Sequence, residues 1–284
     1  MSRILIPVLL ILAAPMQART RAVAGPPLLP RVKHIFMVVL ENEDISAPPQ
    51  PFLTELASKG ALLTNYHALT HPSQPNYIAL TAGSAYGITD DNPVTINVRN
   101  LADLIEKAGL TWKVYAEDYP GDCFVGASAD GGLYVRRHVP FLEFADIQTN
   151  SQRCTNIVDA TQLDADIASD SLPSFALYIP NNRHNGHDTS LAAADQFLQS
   201  RFGPLIDNPA FTSNTLFVVT FDESNSTTNN HVSTIFVGDH VITGAQSADW
   251  YDHYSLLKTI EATLGVGYLG KQDVTADVIT GIWK

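Results

Sequence analysis

Two pairs of oxygen-bearing side chains stand directly after long apolar stretches of the sequence. They are Glu41 with Asn42, and Asp222 with Glu223. Neighbouring carboxylates repel each other unless a cation or a proton lies between them, and carboxylate and amide oxygens are the ligands that hard divalent cations prefer. Either pair alone is also typical of a helix cap or a solvated loop. Because both pairs follow apolar stretches, we predict that all four side chains bind a divalent metal ion, with Ca, Mg or Mn favoured over Zn.

Residues 70–84, THPSQPNYIALTAGS, contain a candidate nucleophile, Ser73. The prolines around it indicate a tight turn that leads into a helix, and the N–H groups of a helix start can bind a phosphate. His71 and Asn76, which flank Ser73, are predicted to contact the substrate. The same segment is typical of an ordinary helix start with Ser73 as the N-cap, and on local sequence alone this second interpretation is favoured.

A third polar cluster, IPNNRHNGHD, covers residues 179–188 and follows another apolar stretch. Two histidines, an arginine and an aspartate within six residues could bind an anionic substrate and protonate a leaving group. We predict that Arg183 and His184 bind substrate and that His187 and Asp188 are catalytic. For each histidine, the alternative is a surface residue without a catalytic role.

These polar residues must be positioned by the regular elements that precede them. Continuously apolar stretches predict strands that are covered on both faces, at 34–40, 112–116, 174–179, 215–221 and 232–237. Helical patterns lie between the strands, at 51–59, 76–81, 98–108, 190–202 and 251–264. The alternation predicts an α/β fold, a three-layer α/β/α sandwich with a mostly parallel central sheet. In such sheets, ligands bind beyond the carboxyl ends of the strands, which is where the candidate residues lie.

Composition indicates one soluble globular domain. The chain has 284 residues, of which 45% are hydrophobic and 16% charged, and this length buries enough apolar surface for a single large core. We place this domain at residues 25–284. The Gly- and Asp-containing loop at 119–137 is the predicted lid or insertion.

The N-terminal segment is predicted to be a secretory signal at residues 1–24. Arg3 precedes an apolar run at 4–14 that is too short to cross a bilayer, and Ala22, Val23 and Ala24 fit the small-residue cleavage pattern. The alternative is an uncleaved membrane anchor. The prediction is therefore a periplasmic or secreted protein without stable membrane association after cleavage.

The charge balance excludes some partners. Cleavage would remove three arginines and no acid, which changes the formal charge from −12 to −15. Such an acidic surface repels polyanions, so nucleic acid and anionic membranes are not expected as partners.

Cys123 and Cys154 are the only two cysteines. In an oxidising compartment we expect them to form a disulfide, and the alternative is two unpaired buried thiols.

Six segments together resemble a known family. In chain order they are ENED, THPSQPNY, IPNNRHNGHD, VVTFDES, NNHVSTIFVGDHV and YDHYSLLKTIEATLG. They resemble the phosphoesterase family that contains bacterial phospholipases C and microbial acid phosphatases, within the alkaline-phosphatase-like superfamily. The segments span about residues 33–265.

This resemblance implies roles for individual residues. The segment SQPNYIALTAG is similar to the nucleophile segment of nucleotide pyrophosphatases, in which the residue that corresponds to Ser73 is phosphorylated. The two strand-end pairs match the family's metal ligands, and His187, Asp188 and His231 match positions around the phosphoryl group. Two-metal members of the superfamily carry Asp and His ligands where this chain has Asn181 and Asn185, so one metal ion is expected.

The resemblance implies a phosphoric ester hydrolase, with a phosphomonoester as the favoured substrate and a phosphoserine as the intermediate. A phospholipase C-type phosphodiesterase is the alternative. A sulfatase is disfavoured, because Tyr77 occupies the position where those enzymes carry arginine, and a Ser-His-Asp hydrolase is disfavoured because Ser73 is not in a Gly-x-Ser-x-Gly turn. The alternative from another class is an exported protein that binds metal or phosphate without turnover.

Overall fold

A nine-stranded sheet forms the centre of the molecule. The structure is a computed structural model, and it describes Met1 and residues 29–45, 49–225 and 229–284. The predicted signal peptide lies outside the described residues, apart from Met1. The strands are β1 His34–Leu40, β2 Ala61–His67, β3 Trp112–Ala116, β4 Ser128–Ala129, β5 Tyr134–Val135, β6 Ile157–Asp159, β7 Phe175–Ile179, β8 Thr215–Phe221, β9 His231–Val237, β10 Ala245–Ser247 and β11 Tyr251–Asp252. The α-helices are α1 Pro51–Lys59, α2 Ser73–Ala82, α3 Leu101–Lys107, α4 Ala145–Gln148, α5 Ser151–Cys154, α6 Gln162–Ala168, α7 Leu191–Ile206, α8 Pro209–Thr212 and α9 His253–Leu264.

The strand order of the sheet is β10-β2-β9-β8-β1-β7-β3-β6, and β11 also pairs with β2. Strand β9 pairs antiparallel with both of its neighbours, and the other pairings are parallel. Every residue of β1 and β8 is buried, as expected for central strands with helices on both faces. The predicted α/β/α architecture with a mostly parallel sheet is confirmed.

The register of the two central strands determines where the site lies. Leu40 of β1 pairs with Phe221 of β8, so Glu41 and Asp222 leave the sheet side by side. Helix α7 packs against α1 and covers Phe36 of β1, whose ring lies 5.8 Å from the ring of Phe202. Helix α2, which begins at Ser73, packs against α9.

Several elements differ from the sequence-based prediction. Strands β2, β6, β10 and β11 were not predicted, because they are short or alternate buried with partly buried residues instead of forming a continuous apolar run. Helix α2 begins at Ser73 rather than at position 76, and α7 continues through Pro204 to Ile206. Residues 251–252, predicted as the start of a helix, pair with β2 instead.

The predicted lid is anchored to the rest of the fold. Cys123 and Cys154 form a disulfide with a Cα–Cα distance of 5.6 Å, which confirms that prediction. Buried Arg136 donates to Glu143 at 3.1 and 2.9 Å and to the carbonyl of Val94 at 2.7 Å. The loop is therefore a fixed wall that carries the hairpin β4–β5, rather than an open flap.

Within the described part of the chain, the helices are all too short or too polar to cross a membrane.

Glu261 in α9 should make the stability of this fold depend on pH. Burial, and secondly the charge of Asp273, raise the pKa of Glu261 from 4.5 to about 8. The folded protein keeps this proton where the unfolded chain has lost it, so the free energy of unfolding should be highest below about pH 4.5 and fall as the pH rises towards 8, by up to about 1.4 kcal/mol per pH unit. Glu261→Gln should flatten this dependence between about pH 5 and about pH 8 in urea unfolding. Glu55→Gln, on the exposed side of α1, is the control, and an equal slope in wild type and Glu261→Gln would contradict the assignment.

Candidate active site

The hydroxyl of Ser73 lies between two carboxylates at the carboxyl ends of the central strands. Its Oγ is 3.1 Å from Glu41 Oε2 and 3.1 Å from Glu223 Oε1, and Ser73 is only 3% exposed. Ser73 is the first residue of α2, and the N-cap is Pro72. The N-cap interpretation of Ser73 is therefore wrong, since its side chain points to the carboxylates.

The elements around Ser73 hold the two acid pairs in place. Asn42 adopts a left-handed backbone with φ of 48°, which Asn tolerates better than most residues. From there its N–H donates to Asp222 Oδ1 at 3.2 Å and its Nδ2 donates to Glu223 Oε1 at 2.9 Å. His253 Nε2 lies 2.6 Å from the carbonyl oxygen of Asp222 and anchors the end of β8.

The carboxyl groups of Glu41, Asp222 and Glu223 are buried close together. Desolvation raises the pKa of Glu41 to about 8, an effect that the nearby charge of Glu223 reinforces. Burial, followed by the charges of Glu41 and Glu223, raises the pKa of Asp222 well above its ordinary value, and burial also raises that of Glu223. Asp222 Oδ2 is buried and has no hydrogen-bond partner. These three acids, one of which has an oxygen without a hydrogen-bond partner, form a donor set that fits a hard divalent cation.

Within the described ranges, no three His, Cys, Asp or Glu side chains are already arranged as a cation site by themselves. A metal site at this position would have to include oxygens of other residue types. Asn42 and Ser73 are neighbours that carry such oxygens, and both side chains lie within hydrogen-bond distance of the carboxylates.

Three residues that the sequence analysis did not select complete the centre of the site. Tyr77 donates to Glu41 Oε1 at 2.5 Å, and its ring stacks on that of His138 at 5.3 Å. His138 Nε2 is 3.2 Å from the same carboxylate oxygen, and burial lowers the pKa of His138 well below its ordinary value. The positive charge of Arg137 acts on Glu41 and His138, and its Nε is buried without a hydrogen-bond partner.

The predicted substrate contact His71 does lie in the site. Its Nδ1 is 2.5 Å from Glu223 Oε2, and its side chain is 32% exposed, so it connects the buried cluster to the surface. Asn76 is different, because its side-chain amide forms hydrogen bonds with the backbone of the turn before α2. It accepts from the N–H groups of Leu69 and Thr70 and donates to the carbonyls of Thr70 and Pro72. Contrary to the prediction of a substrate contact, Asn76 holds the turn that presents Ser73.

The cluster at 179–188 is divided between the site and a neighbouring wall. His187 Nδ1 is 2.6 Å from Asp188 Oδ1, and the His187 ring lies 6.3 Å from the His138 ring, so this pair borders the site. His184 instead contacts Glu117 Oε2 at 2.7 Å and stacks on Phe197 at 4.4 Å, and Arg183 is exposed. The contacts of His184 anchor it to the neighbouring wall, and its role as a substrate contact stays a prediction.

His231 begins β9 at the same edge of the sheet. Its Nε2 is 3.0 Å from the carbonyl oxygen of Thr64, and its ring stacks on that of His67 at 4.6 Å. These contacts direct His231 towards β2 rather than towards Ser73, and its predicted catalytic role stays a prediction.

Sequence comparison agrees with this geometry. The family model described as "Phosphoesterase family" matches residues 37–267. The chain belongs to the phosphoesterase family. Within this family it is 34% identical to a probable acid phosphatase of Kluyveromyces lactis over 87% of this chain, and it spans 62% of that protein's length. It is 35% identical to a phosphatidylinositol-3-phosphatase of Mycobacterium tuberculosis over 90% of this chain and 84% of that protein.

Solved structures extend the relationship at the level of fold. A protein of the alkaline phosphatase superfamily from Vibrio parahaemolyticus superposes on this phosphoesterase-family chain with a TM-score of 0.61, at 14% identity, over 92% of this chain and 76% of the other. At that identity the likeness establishes the architecture of the sheet and helices alone.

Proposed function

We propose that this protein is an exported, metal-dependent phosphoesterase that hydrolyses phosphomonoesters through a phosphoserine at Ser73. The observation that carries the proposal is the buried Ser73 hydroxyl, 3.1 Å from each of two carboxylates that also border a cation-compatible donor set. Residues 25–284 would form the mature domain after removal of the 1–24 signal. The disulfide supports export, since such bonds persist in oxidising compartments.

Glu41, Asn42, Asp222 and Glu223 would hold one divalent ion, with Ca, Mg or Mn favoured over Zn because the set is all oxygen. When bound, such an ion lowers the pKa of a hydroxyl and neutralises charge on phosphoryl oxygens. Charge balance supports the assignment, because a divalent ion would offset the mutual repulsion of the buried acids.

The chain's own residues would then divide the reaction. Ser73 Oγ forms a bond to phosphorus while the bond to the leaving oxygen breaks, and the Ser73 proton passes to Glu41 or Glu223. His187, oriented by Asp188, supplies a proton to the leaving oxygen. Water then attacks phosphorus and gives a proton to His187, the bond from phosphorus to Ser73 Oγ breaks, and Oγ takes back its proton from the carboxylate. Gln74 N already donates to Asp91 at 2.9 Å, so this N–H of the helix start would not serve as a phosphate donor in this arrangement.

Arg137 is the residue that we expect to bind the phosphoryl oxygens in place of a second metal ion. The positive charge of its guanidinium acts on Glu41, and its buried Nε makes no hydrogen bond, only a loose ion pair with Asp91 Oδ2 at 3.4 Å. Arg137→Ala should lower kcat/KM at least about a hundredfold, roughly 3 kcal/mol in the barrier. Arg137→Lys should recover part of the loss, because it restores charge without the planar donors.

The measurement is steady-state kinetics with 4-nitrophenyl phosphate, and Arg99→Ala, at an exposed arginine, is the matched control. If the kcat/KM of Arg137→Ala stays within about threefold of wild type, the barrier has changed by less than about 1 kcal/mol. That result would show that Arg137 does not bind the phosphoryl oxygens.

One panel of esters tests the function itself. The monoesters are 4-nitrophenyl phosphate and phosphatidylinositol 3-phosphate, the second chosen from the name of the Mycobacterium relative; the diesters are bis(4-nitrophenyl) phosphate and phosphatidylcholine. We expect the monoesters to be hydrolysed fastest, and chelation followed by re-addition of the divalent ion to abolish and restore turnover. Faster diester hydrolysis would select the phospholipase C-type alternative, and no turnover with metal present would select a binding protein. Polyanions such as DNA should not compete, given the acidic charge.

A further inference from the structure

A stack of three aromatic rings stands beside the nucleophile site, and the reaction described above does not use it. The rings belong to His231, His67 and Trp250, and we call them the ring stack. His67 lies 4.6 Å from His231 with an angle of 15° between the ring planes, and 5.9 Å from Trp250 with an angle of 17°. Strands β9 and β11 pair with opposite edges of β2, so His67 lies between the other two rings.

Both ring nitrogens of His67 and one of His231 are held by hydrogen bonds. His67 Nδ1 is 2.7 Å from the carbonyl oxygen of Asn229, and its Nε2 is 2.9 Å from Asn65 Oδ1. The Nε2 of His231 is 3.0 Å from the carbonyl oxygen of Thr64. The stack therefore offers a ring face, rather than a set of free hydrogen-bonding groups, to a ligand. Trp250 forms the outer layer and is 57% exposed, a large aromatic surface left open to solvent.

A groove runs from the ring stack towards the nucleophile site and ends at His71. It has a volume of about 670 Å³ and passes from Trp250 along Ala68 and Leu69 to His71. His71 is the residue that contacts Glu223, the acid hydrogen-bonded to Ser73. A substrate with its phosphate at Ser73 would thus extend its alcohol portion along this groove towards Trp250.

We infer that the groove is the leaving-group subsite and that Trp250 selects phosphate esters whose alcohol portion carries a planar aromatic ring. Such a ring stacks on the open indole face, an interaction that tolerates different ring types because each has a π-face. A polyhydroxylated alcohol gains less, because it has no planar face to stack on the indole and both ring nitrogens of the central His67 are already hydrogen-bonded. This inference rests on the proposed function, since it takes Ser73 as the reacting group.

The test uses two esters with the same reacting bond, adenosine 5′-monophosphate and ribose 5-phosphate, which differ only by the base. Wild type should prefer the nucleotide in kcat/KM by about tenfold, chiefly through KM. Trp250→Ala should bring this ratio close to one, and Trp250→Phe should restore most of it. Tyr268→Ala removes another exposed aromatic ring, 45% exposed and outside the groove, and should leave the ratio unchanged.

A wild-type ratio near one would overturn the subsite, as would a Trp250→Ala enzyme that loses both activities equally and keeps the ratio. If neither ester is hydrolysed, the proposed function fails but the subsite is still tested by calorimetry. Adenosine 5′-monophosphate should then bind wild type about tenfold more tightly than ribose 5-phosphate does, and lose this advantage in Trp250→Ala. Equal binding of the two ligands by wild type would overturn the subsite independently of the chemistry.

Discussion

Replacing Ser73 by alanine should abolish turnover and leave the fold intact. The substitution removes one oxygen from a helix start that is capped by Pro72, and the backbone bonds of α2 do not depend on it. We expect kcat to fall by about a thousandfold or more, roughly 4 kcal/mol in the barrier. Metal content should change little, because four proposed protein ligands remain.

Rapid acid quench with labelled substrate should trap a phosphoserine in wild type and none in Ser73→Ala. Ser58→Ala is the matched control, since Ser58 is an exposed helix serine whose Oγ donates to a carbonyl of its own helix. Activity in Ser73→Ala within about tenfold of wild type, about 1.4 kcal/mol in the barrier, would show that water attacks phosphorus directly and that Ser73 only completes the hydrogen bonds of the site.

Replacing Asp222 by asparagine should change the free energy of unfolding, and the direction of the change should depend on whether a divalent ion is bound. Asp222 is fully buried between Glu41 and Glu223, and its Oδ2 lacks a hydrogen-bond partner. Asp222→Asn keeps the size of the side chain but cannot ionise, so it neither carries a buried charge nor repels Glu41 and Glu223. In the presence of chelator, we therefore expect the free energy of unfolding of the variant to be about 2 kcal/mol higher than that of wild type.

With a divalent ion present, the order should reverse, because wild type gains binding energy that the variant has lost. Metal content by mass spectrometry and kcat should fall together in Asp222→Asn and in Glu41→Ala. Asp207→Asn, at an exposed aspartate that pairs with Lys59, controls for a simple change of net charge. Identical stabilities of wild type with and without chelator, together with full metal content in both site variants, would contradict the ligand assignment.

The central strands and the strand-end acids could be predicted from the sequence for a common reason. Strands β1 and β8 are buried along their whole length, so their composition alone distinguishes them. Since parallel strands place their carboxyl ends at one edge, the residues that follow them are brought together by the fold class itself. The structure does place Glu41, Asn42, Asp222, Glu223 and Ser73 in one hydrogen-bonded cluster.

Other parts of the site depend on information that local patterns lack. His138 follows a loop whose path is determined by Arg136, Glu143 and a disulfide, and it meets Glu41 only in the folded chain. Tyr77 could have been found, because it lies one helical turn after Ser73 and so faces the same way. Asn76 was misassigned, since a buried amide that closes a turn and one that contacts a ligand look alike in sequence.

The division of the sheet between buried central strands and a mixed edge affects how such an enzyme could evolve or be redesigned. The acids and Ser73 depend on β1 and β8, whose buried residues tolerate little change in volume. Trp250 precedes the two-residue strand β11 at the margin of the sheet and packs against few neighbours that would be disturbed by its replacement. Libraries confined to position 250 and the adjoining groove should therefore change which alcohols are accepted without loss of folding yield, whereas equally large libraries in the central strands should produce mostly insoluble protein.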